Sequence, residues 1–451
     1  MLPKAFIERI EGQLGNETGL FLSALETESP VSIRINPYKG LQVPVSLEAI
    51  PWSDNGYYLP ERPSFTLDPG FHSGMYYVQE ASSMSLEFVL KQLPLEGALA
   101  LDLCGAPGGK STLLATALYE QNGMVLANEV IRARAQTLKE NLIKWGLPNV
   151  AVSNLDPKHI AKSKLQFDLM LVDAPCSGEG MFRKDPAAQD EWSLDNVELC
   201  AARQKRILSD VLPALKDGGY LLYSTCTYSE AENEQNLRWL ADEHELESLA
   251  IPFPSEWNIT EKRLDNSIGY AFYPNKTKGE GFFIALLRKP GEAKELSDKG
   301  LKKPGKKVEA PLEQWLNQPV QTFEWFDGIY AVPLNVLNHA SRLFHSLPLQ
   351  YLGTRIAEPA GREWKPSPEL AFSVIAKKET FSAVELSLKD ALHFLRRDEL
   401  KFPEQVQGWL RMEYKKQGLG YVKNLGNRSN SQYPKEWRIL MSLPEELSTW
   451  Y

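Results

Sequence analysis

The chain has 451 residues, 43% of them hydrophobic, with four cysteines and a formal net charge of −8 at pH 7. That length suggests two to four domains, each able to bury a core, and four cysteines without a CxxC pair argue against a disulfide framework or a zinc site. The start, Met1-Leu2-Pro3-Lys4, lacks a signal-peptide core and no apolar run reaches membrane-spanning length, so a soluble, thiol-reduced, cytoplasmic protein without metal is expected.

Residues 1–75 read as a short α+β entry module, with a helix from Ala5 to Leu14 and a strand-like Val31-Ser32-Ile33-Arg34-Ile35-Asn36. Pro60, Pro63, Pro69 and Gly70 break longer elements there. A helical stretch from Glu80 to Leu93 leads into a central region, 76–289. From Ala98 to Lys289, apolar strands alternate with amphipathic helices, the pattern of an α/β layer on a mainly parallel sheet. The expected strands are 98–104, 123–129, 149–153, 167–173, 219–224 and 281–288; the expected helices lie near 109–120, 131–146, 195–216 and 229–243. Residues 290–308, polar, lysine-rich and punctuated by Pro290, Gly291, Pro304 and Gly305, have a linker composition. Residues 309–451 then form a separate C-terminal α+β extension.

Leu101-Asp102-Leu103-Cys104-Gly105-Ala106-Pro107-Gly108-Gly109-Lys110-Ser111 reads as a strand, a glycine-rich turn and a helix start. Glycines let backbone approach a ligand, and the helix start offers free N–H groups. Gly105 to Gly109 leaves three intervening residues where a Walker A loop has four, and the dinucleotide fingerprint G-x-G-x-x-G is absent. The turn from Cys104 to Lys110 fits a single nucleoside-like ligand such as S-adenosylmethionine. Glu129, 19 residues beyond Lys110, is placed to accept hydrogen bonds from ribose hydroxyls. Arg134 on the helix that follows and Asp156, placed to meet an adenine amino group, complete the candidate cofactor set with Asp173.

Cys176 in Asp173-Ala174-Pro175-Cys176-Ser177-Gly178-Glu179-Gly180 and Cys226 in Ser224-Thr225-Cys226-Thr227-Tyr228-Ser229 each follow a strand-like apolar run. The carboxyl ends of parallel strands are where ligands collect. A cysteine is most often a small buried hydrophobe, but segments rich in Ser, Thr, Gly and Pro are poor places for core packing. Two thiols facing one crevice suggest covalent chemistry; Cys104 and Cys200 read better as structural. Between Trp409 and Leu440, seven basic residues stand against two acidic ones, interleaved with Tyr414, Tyr421, Tyr433 and Trp437. Such a mixture suits phosphates and stacked bases, the alternative being a solvated lysine-rich face.

These motifs, with Arg34-Ile35-Asn36, Gln79-Glu80-Ala81-Ser82 and Gly281-Phe282-Phe283-Ile284-Ala285, resemble the RNA cytosine-5 methyltransferases of the NOL1/NOP2/Sun group, and within it the bacterial small-subunit ribosomal RNA enzymes of the RsmF type. The resemblance implies a Rossmann-like class I S-adenosylmethionine-dependent core at 76–289 and an RNA-binding role for residues 1–75 and 309–451, with a PUA-like part at about 390–451. It implies 5-methylcytosine formation in 16S rRNA of the 30S subunit by a monomeric enzyme; transfer RNA is the alternative substrate, and a non-catalytic RNA-binding assembly factor a further one. By motif position Cys226 is the nucleophile that adds to cytosine C6, and Cys176 assists its release. Cytosine-5 DNA enzymes place the nucleophile in the Pro-Cys motif instead, so here the resemblance, not spacing, makes the choice. Asp173 is implied to hold the base edge, with Lys110 reaching the same site. Phe182, Arg183 and Lys184 are candidate RNA contacts, weighed against a plain basic surface loop.

Overall fold

Short apolar runs bounded by Gly, Asn or Pro pair into one ten-stranded sheet at the centre of the computed structural model, which describes residues 2–292, 301–308, 312–361, 363–402 and 406–451. Its strands are β1 (Leu99–Asp102), β2 (Met124–Asn128), β3 (Val150–Ser153), β4 (Phe167–Asp173), β5 (Leu215–Thr225), β6 (Glu247–Leu249), β7 (Thr260–Leu264), β8 (Ser267–Phe272), β9 (Phe282–Arg288) and β10 (Leu349–Leu352). The order is β7-β8-β9-β5-β4-β1-β2-β3-β10, with β6 also pairing β9. β5, β4, β1, β2 and β3 run parallel; β9 joins β5, and β10 joins β3, antiparallel. Every residue of β1, β2 and β3 is buried, as expected where helices cover both faces of a parallel sheet. Helices Gly109–Tyr119 and Arg132–Trp145 pack together, and Leu194–Val211 packs with Pro157–Lys162 and Glu234–His244. Strand order reverses between β1 and β4, which places a ligand crevice beyond their carboxyl ends.

The expected helix at 195–216 ends at Val211, because Leu212-Pro213 opens a 3-10 turn and β5 begins at Leu215. The expected helix at 229–243 begins only at Glu234. The Thr260–Phe272 hairpin and β10 were not expected. Of the expected linker 290–308, residues 293–300 lie outside the described residues, while Lys306–Lys307 pairs with the Val320–Trp325 strand. The C-terminal extension is not separate: β10 supplies the last strand of the central sheet.

The N-terminal module carries helices Lys4–Leu14 and Thr18–Leu25 and a three-stranded sheet. Arg34, 1% exposed, joins it to the core. Its guanidinium donates to Gln79 Oε1 (2.9 Å), Thr112 Oγ1 (2.6 Å) and Gly109 O (3.2 Å), and lies 4.5 Å from the Trp145 ring centroid. The first turn of the Gly109–Tyr119 helix is thereby fixed from outside the core. Phe6 meets Phe182 and Trp192, and Phe21 meets Tyr228, so the N-terminal helices pack over both cysteine loops.

From Lys306 onward, one sheet runs Lys306–Lys307, Val320–Trp325, Gly328–Pro333, Thr354–Ala360, Glu363–Pro366; a second comprises Ser382–Glu385, Gly408–Tyr414, Gln417–Asn424 and Ser429–Ser431. The last residues return to the N-terminal module, where Tyr451 OH donates to Asp68 Oδ1 (2.7 Å) and Trp450 packs on Tyr76. Among the described residues no helix is long and apolar enough to cross a membrane, and no group of three His, Cys, Asp or Glu residues forms a metal cluster.

Candidate active site

The turn after β1 carries Cys104 to Gly108 to the start of the Gly109–Tyr119 helix. Gly108 has φ +121, a conformation that side chains rarely adopt, which is why the turn needs glycine there. Gly105 N bonds Asn128 O (2.8 Å), and Arg134 Nη2 donates to Ala106 O (3.0 Å), so the turn is held from the neighbouring strand and helix. Glu129, 3% exposed, directly follows β2; its Oε1 accepts from Ile131 N (2.9 Å), and its Oε2 lies 3.6 Å from the Arg134 guanidinium. Asp156 is exposed and caps the Pro157–Lys162 helix by accepting from Lys158 N (3.0 Å). Pro107 is exposed at the crest of the turn. Burial and the acidic groups Asp102, Asp173 and Glu129 push the Cys104 thiol up.

Beneath the turn sits Asp102, 0% exposed. Its Oδ2 accepts from Ser111 Oγ (2.6 Å), while the buried Oδ1 has no hydrogen-bond partner. Burial pushes its carboxyl up to about 7, against the pull of the Ser111 bond. An orphaned acceptor, a helix start and a buried strand-end carboxylate together fit a nucleoside ligand with a cationic centre.

Beside the turn, β4 and β5 deliver the two cysteine loops to one point. Cys176 Sγ lies 3.0 Å from Cys226 Sγ. Their hydrogen bond, and then burial, raise the Cys176 thiol well above its ordinary value. Asp173 bridges Lys110 Nζ (2.8 Å, to Oδ2) and Ser224 Oγ (2.7 Å, to Oδ1). Burial pulls the Lys110 ammonium down, but Asp173, Cys226 and Asp102 outweigh it and the net shift is upward. A persistent cation therefore stands beside the thiols, 5.2 Å from the Phe282 ring centroid. Gly180 packs so closely that a Cβ would lie 2.8 Å from Cys226 O, and Gly180 N bonds that same carbonyl (2.8 Å). Each loop thus fixes the other.

Two buried carboxylates that the sequence did not single out hold this pair in place. Glu232 accepts from Ser177 N (2.9 Å), Ser177 Oγ (2.5 Å) and Gln204 Nε2 (3.0 Å). Glu179 accepts from Arg9 (2.6 Å), Trp192 Nε1 (2.9 Å) and Tyr228 N (3.0 Å). The run Ser229-Glu230-Ala231-Glu232-Asn233-Glu234 reads as an exposed helix start, so only the adjacency of Glu179 to the Pro-Cys motif hinted at a role.

Other expectations fail for visible reasons. Phe182 is 3% exposed against Phe6 and so is a core residue; Arg183 is ion-paired to Glu280 (3.0 Å) and lines a surface cavity with the exposed Lys184. In the C-terminal cluster Tyr414, Tyr421 and Tyr433 are core residues, and Arg411 is buried against Glu413. Lys415, Lys416, Arg428, Lys435 and Arg438 are exposed.

Comparison with known proteins agrees with this architecture. The 16S rRNA methyltransferase RsmB/F profile matches residues 89–288, that of the N-terminal domain of 16S rRNA methyltransferase RsmF residues 2–81, and that of the methyltransferase RsmF PUA domain residues 381–439. A ribosomal RNA small subunit methyltransferase F of Vibrio cholerae is 30% identical over 96% of this chain and 97% of its own. That of Aeromonas salmonicida is 33% identical over 86% and 85%. A methyltransferase homolog from Pyrococcus horikoshii superposes with a TM-score of 0.54 at 30% identity, covering 64% of this chain and 95% of its own.

Proposed function

Because the chain belongs to the RsmB/F family of 16S rRNA methyltransferases, we propose that it methylates C5 of a cytosine in small-subunit ribosomal RNA, with S-adenosylmethionine as methyl donor and Cys226 as covalent nucleophile. The observation that carries this reading is the pair of thiols 3.0 Å apart, beside an Asp173–Lys110 pair at the edge of the Gly105–Gly109 turn. S-adenosylmethionine, held by that turn and by Glu129, supplies an electrophilic methyl group.

Cytosine C5 is a weak nucleophile on its own. Addition of the Cys226 sulfur to C6 forms a C–S bond and moves electron density onto C5, which can then take the methyl group. Asp173 holds the N3/N4 edge of the base, and Lys110 keeps positive charge next to the attacking sulfur. Loss of the C5 proton and cleavage of the C–S bond restore the aromatic ring. Cys176, kept protonated by its neighbour and by burial, donates a hydrogen bond to the departing Cys226 sulfur. The base must leave its stack to reach the thiols. The exposed Lys415, Lys416, Arg428, Lys435 and Arg438 of the PUA region supply phosphate contacts that anchor the surrounding RNA.

The test is 5-methylcytosine mapping in 30S subunits incubated with S-adenosylmethionine and wild type, Cys226→Ala or Cys176→Ala protein. Expected are loss of methylation in Cys226→Ala and a protein–RNA adduct on denaturing gels in Cys176→Ala. The reverse pattern would exchange the two roles. Methylation of transfer RNA but not of 30S subunits or naked ribosomal RNA would overturn the substrate.

A further inference from the structure

A cavity of about 290 Å³ opens where the N-terminal module, the segment 371–379 and the last sheet meet. Among its charged lining residues are Lys39, Lys377, Lys378 and Arg411, with Glu379 as the one carboxylate. Lys39 and Arg411 are each 3% exposed. Arg411 spends Nη1 on Glu413 (2.6 Å) and Nη2 on Ala371 O (3.3 Å), while its buried Nε has no hydrogen-bond partner. Lys39 Nζ donates to two carbonyls, Ser73 O (2.5 Å) and Lys144 O (2.7 Å), neither of which carries a neutralising charge. Burial, with Arg411 and Lys378 beside it, drives the Lys39 ammonium well below its ordinary value. A buried lysine held only by carbonyls, beside an arginine with a single carboxylate partner and two exposed lysines, calls for an anion.

We propose that this cavity is a phosphate-binding site, with Arg411 and Lys39 holding one phosphate group from within and Lys377 and Lys378 closing on it from the mouth. Arginine and lysine donors from different walls suit the several oxygens of a phosphate. The site stands at the end of the Arg132–Trp145 helix, through Lys144 O, one turn beyond Asn141, whose Nδ2 donates to Pro107 O of the glycine-rich turn (2.8 Å). Two sources share the chemistry: a phosphodiester of bound RNA and free inorganic phosphate. Only the RNA source rests on the methyltransferase reading.

Inorganic phosphate titrated calorimetrically into the full-length protein, at constant ionic strength with chloride as the control, tests the site. Saturable binding of one phosphate is expected, weakened about tenfold or more in K377Q/K378Q, whose exposed positions leave the fold intact. Displacement of phosphate by a single-stranded RNA identifies the phosphodiester as occupant. Unaltered phosphate binding in the presence of RNA identifies free phosphate. Absence of saturable binding, or equal affinity in K377Q/K378Q, overturns the proposal. Methylation of 30S subunits, assayed with the same preparations, fails or succeeds independently of the titration, so the two readings fall separately.

Discussion

Replacing Asp102 by Asn removes one buried charge from under the cofactor turn and changes little else. The carboxyl is 0% exposed, with one oxygen bonded to Ser111 and the other without a partner. Burial holds it at about 7, against 3.8 in its ordinary state. That difference, at about 1.4 kcal/mol per pH unit, corresponds to about 4 kcal/mol. The folded chain binds this proton more tightly than the unfolded one. The stability it contributes is therefore complete below pH 3.8 and is lost as pH rises to about 7. Asparagine keeps an acceptor for Ser111 and never ionises. Asp102→Asn should match wild type near pH 4 and exceed it at pH 7.5 by up to about 4 kcal/mol. Urea unfolding across that range, followed by tryptophan fluorescence, measures the gap. A gap that stays constant with pH refutes the reasoning.

Other perturbations separate positioning from structure. Glu232→Ala strands Ser177 N and takes one acceptor from Ser177 Oγ and the Gln204 amide, and should lower kcat about 100-fold with KM for RNA little changed; Glu232→Gln should restore part of the rate in the same steady-state assay. Arg34→Met deletes the bonds to Gln79, Thr112 and Gly109 and should destabilise by about 3 kcal/mol, read by chemical denaturation, while weakening S-adenosylmethionine binding. Asp156→Asn retains the helix cap and should weaken S-adenosylmethionine several-fold in a binding titration, whereas Asp156→Ala should also lose about 1 kcal/mol of stability.

The parallel strands were legible because each is a short apolar run ending in a recognisable loop. The glycine-rich turn and the meeting of both thiols followed from what stands at those ends. Glu232, Gln204 and Ser177 were not legible, because residues 28 and 55 positions apart meet only once the sheet has formed. Tyr421 and Tyr433 misled for a related reason: an aromatic between lysines looks like a stacking surface, but Tyr421 packs on Phe381 and Tyr433 on Phe394, each distant in sequence. The pairing of Arg183 with Glu280 was hidden likewise, the two standing 97 positions apart. β10 escaped notice because the residues it pairs with belong to β3, nearly two hundred positions earlier.

That last strand bears on how the protein is made. β3 is a fully buried strand whose outer edge is covered only when Leu349–Leu352 arrives. During synthesis the catalytic sheet waits with an open hydrogen-bonding rim until most of the chain has left the ribosome, and such rims invite pairing with other chains. A gene cut at the lysine-rich stretch, which looks like a natural seam, would leave that rim permanently bare. The extension thus completes the sheet that precedes it, and shuffling it between relatives would meet a barrier of assembly before any barrier of recognition.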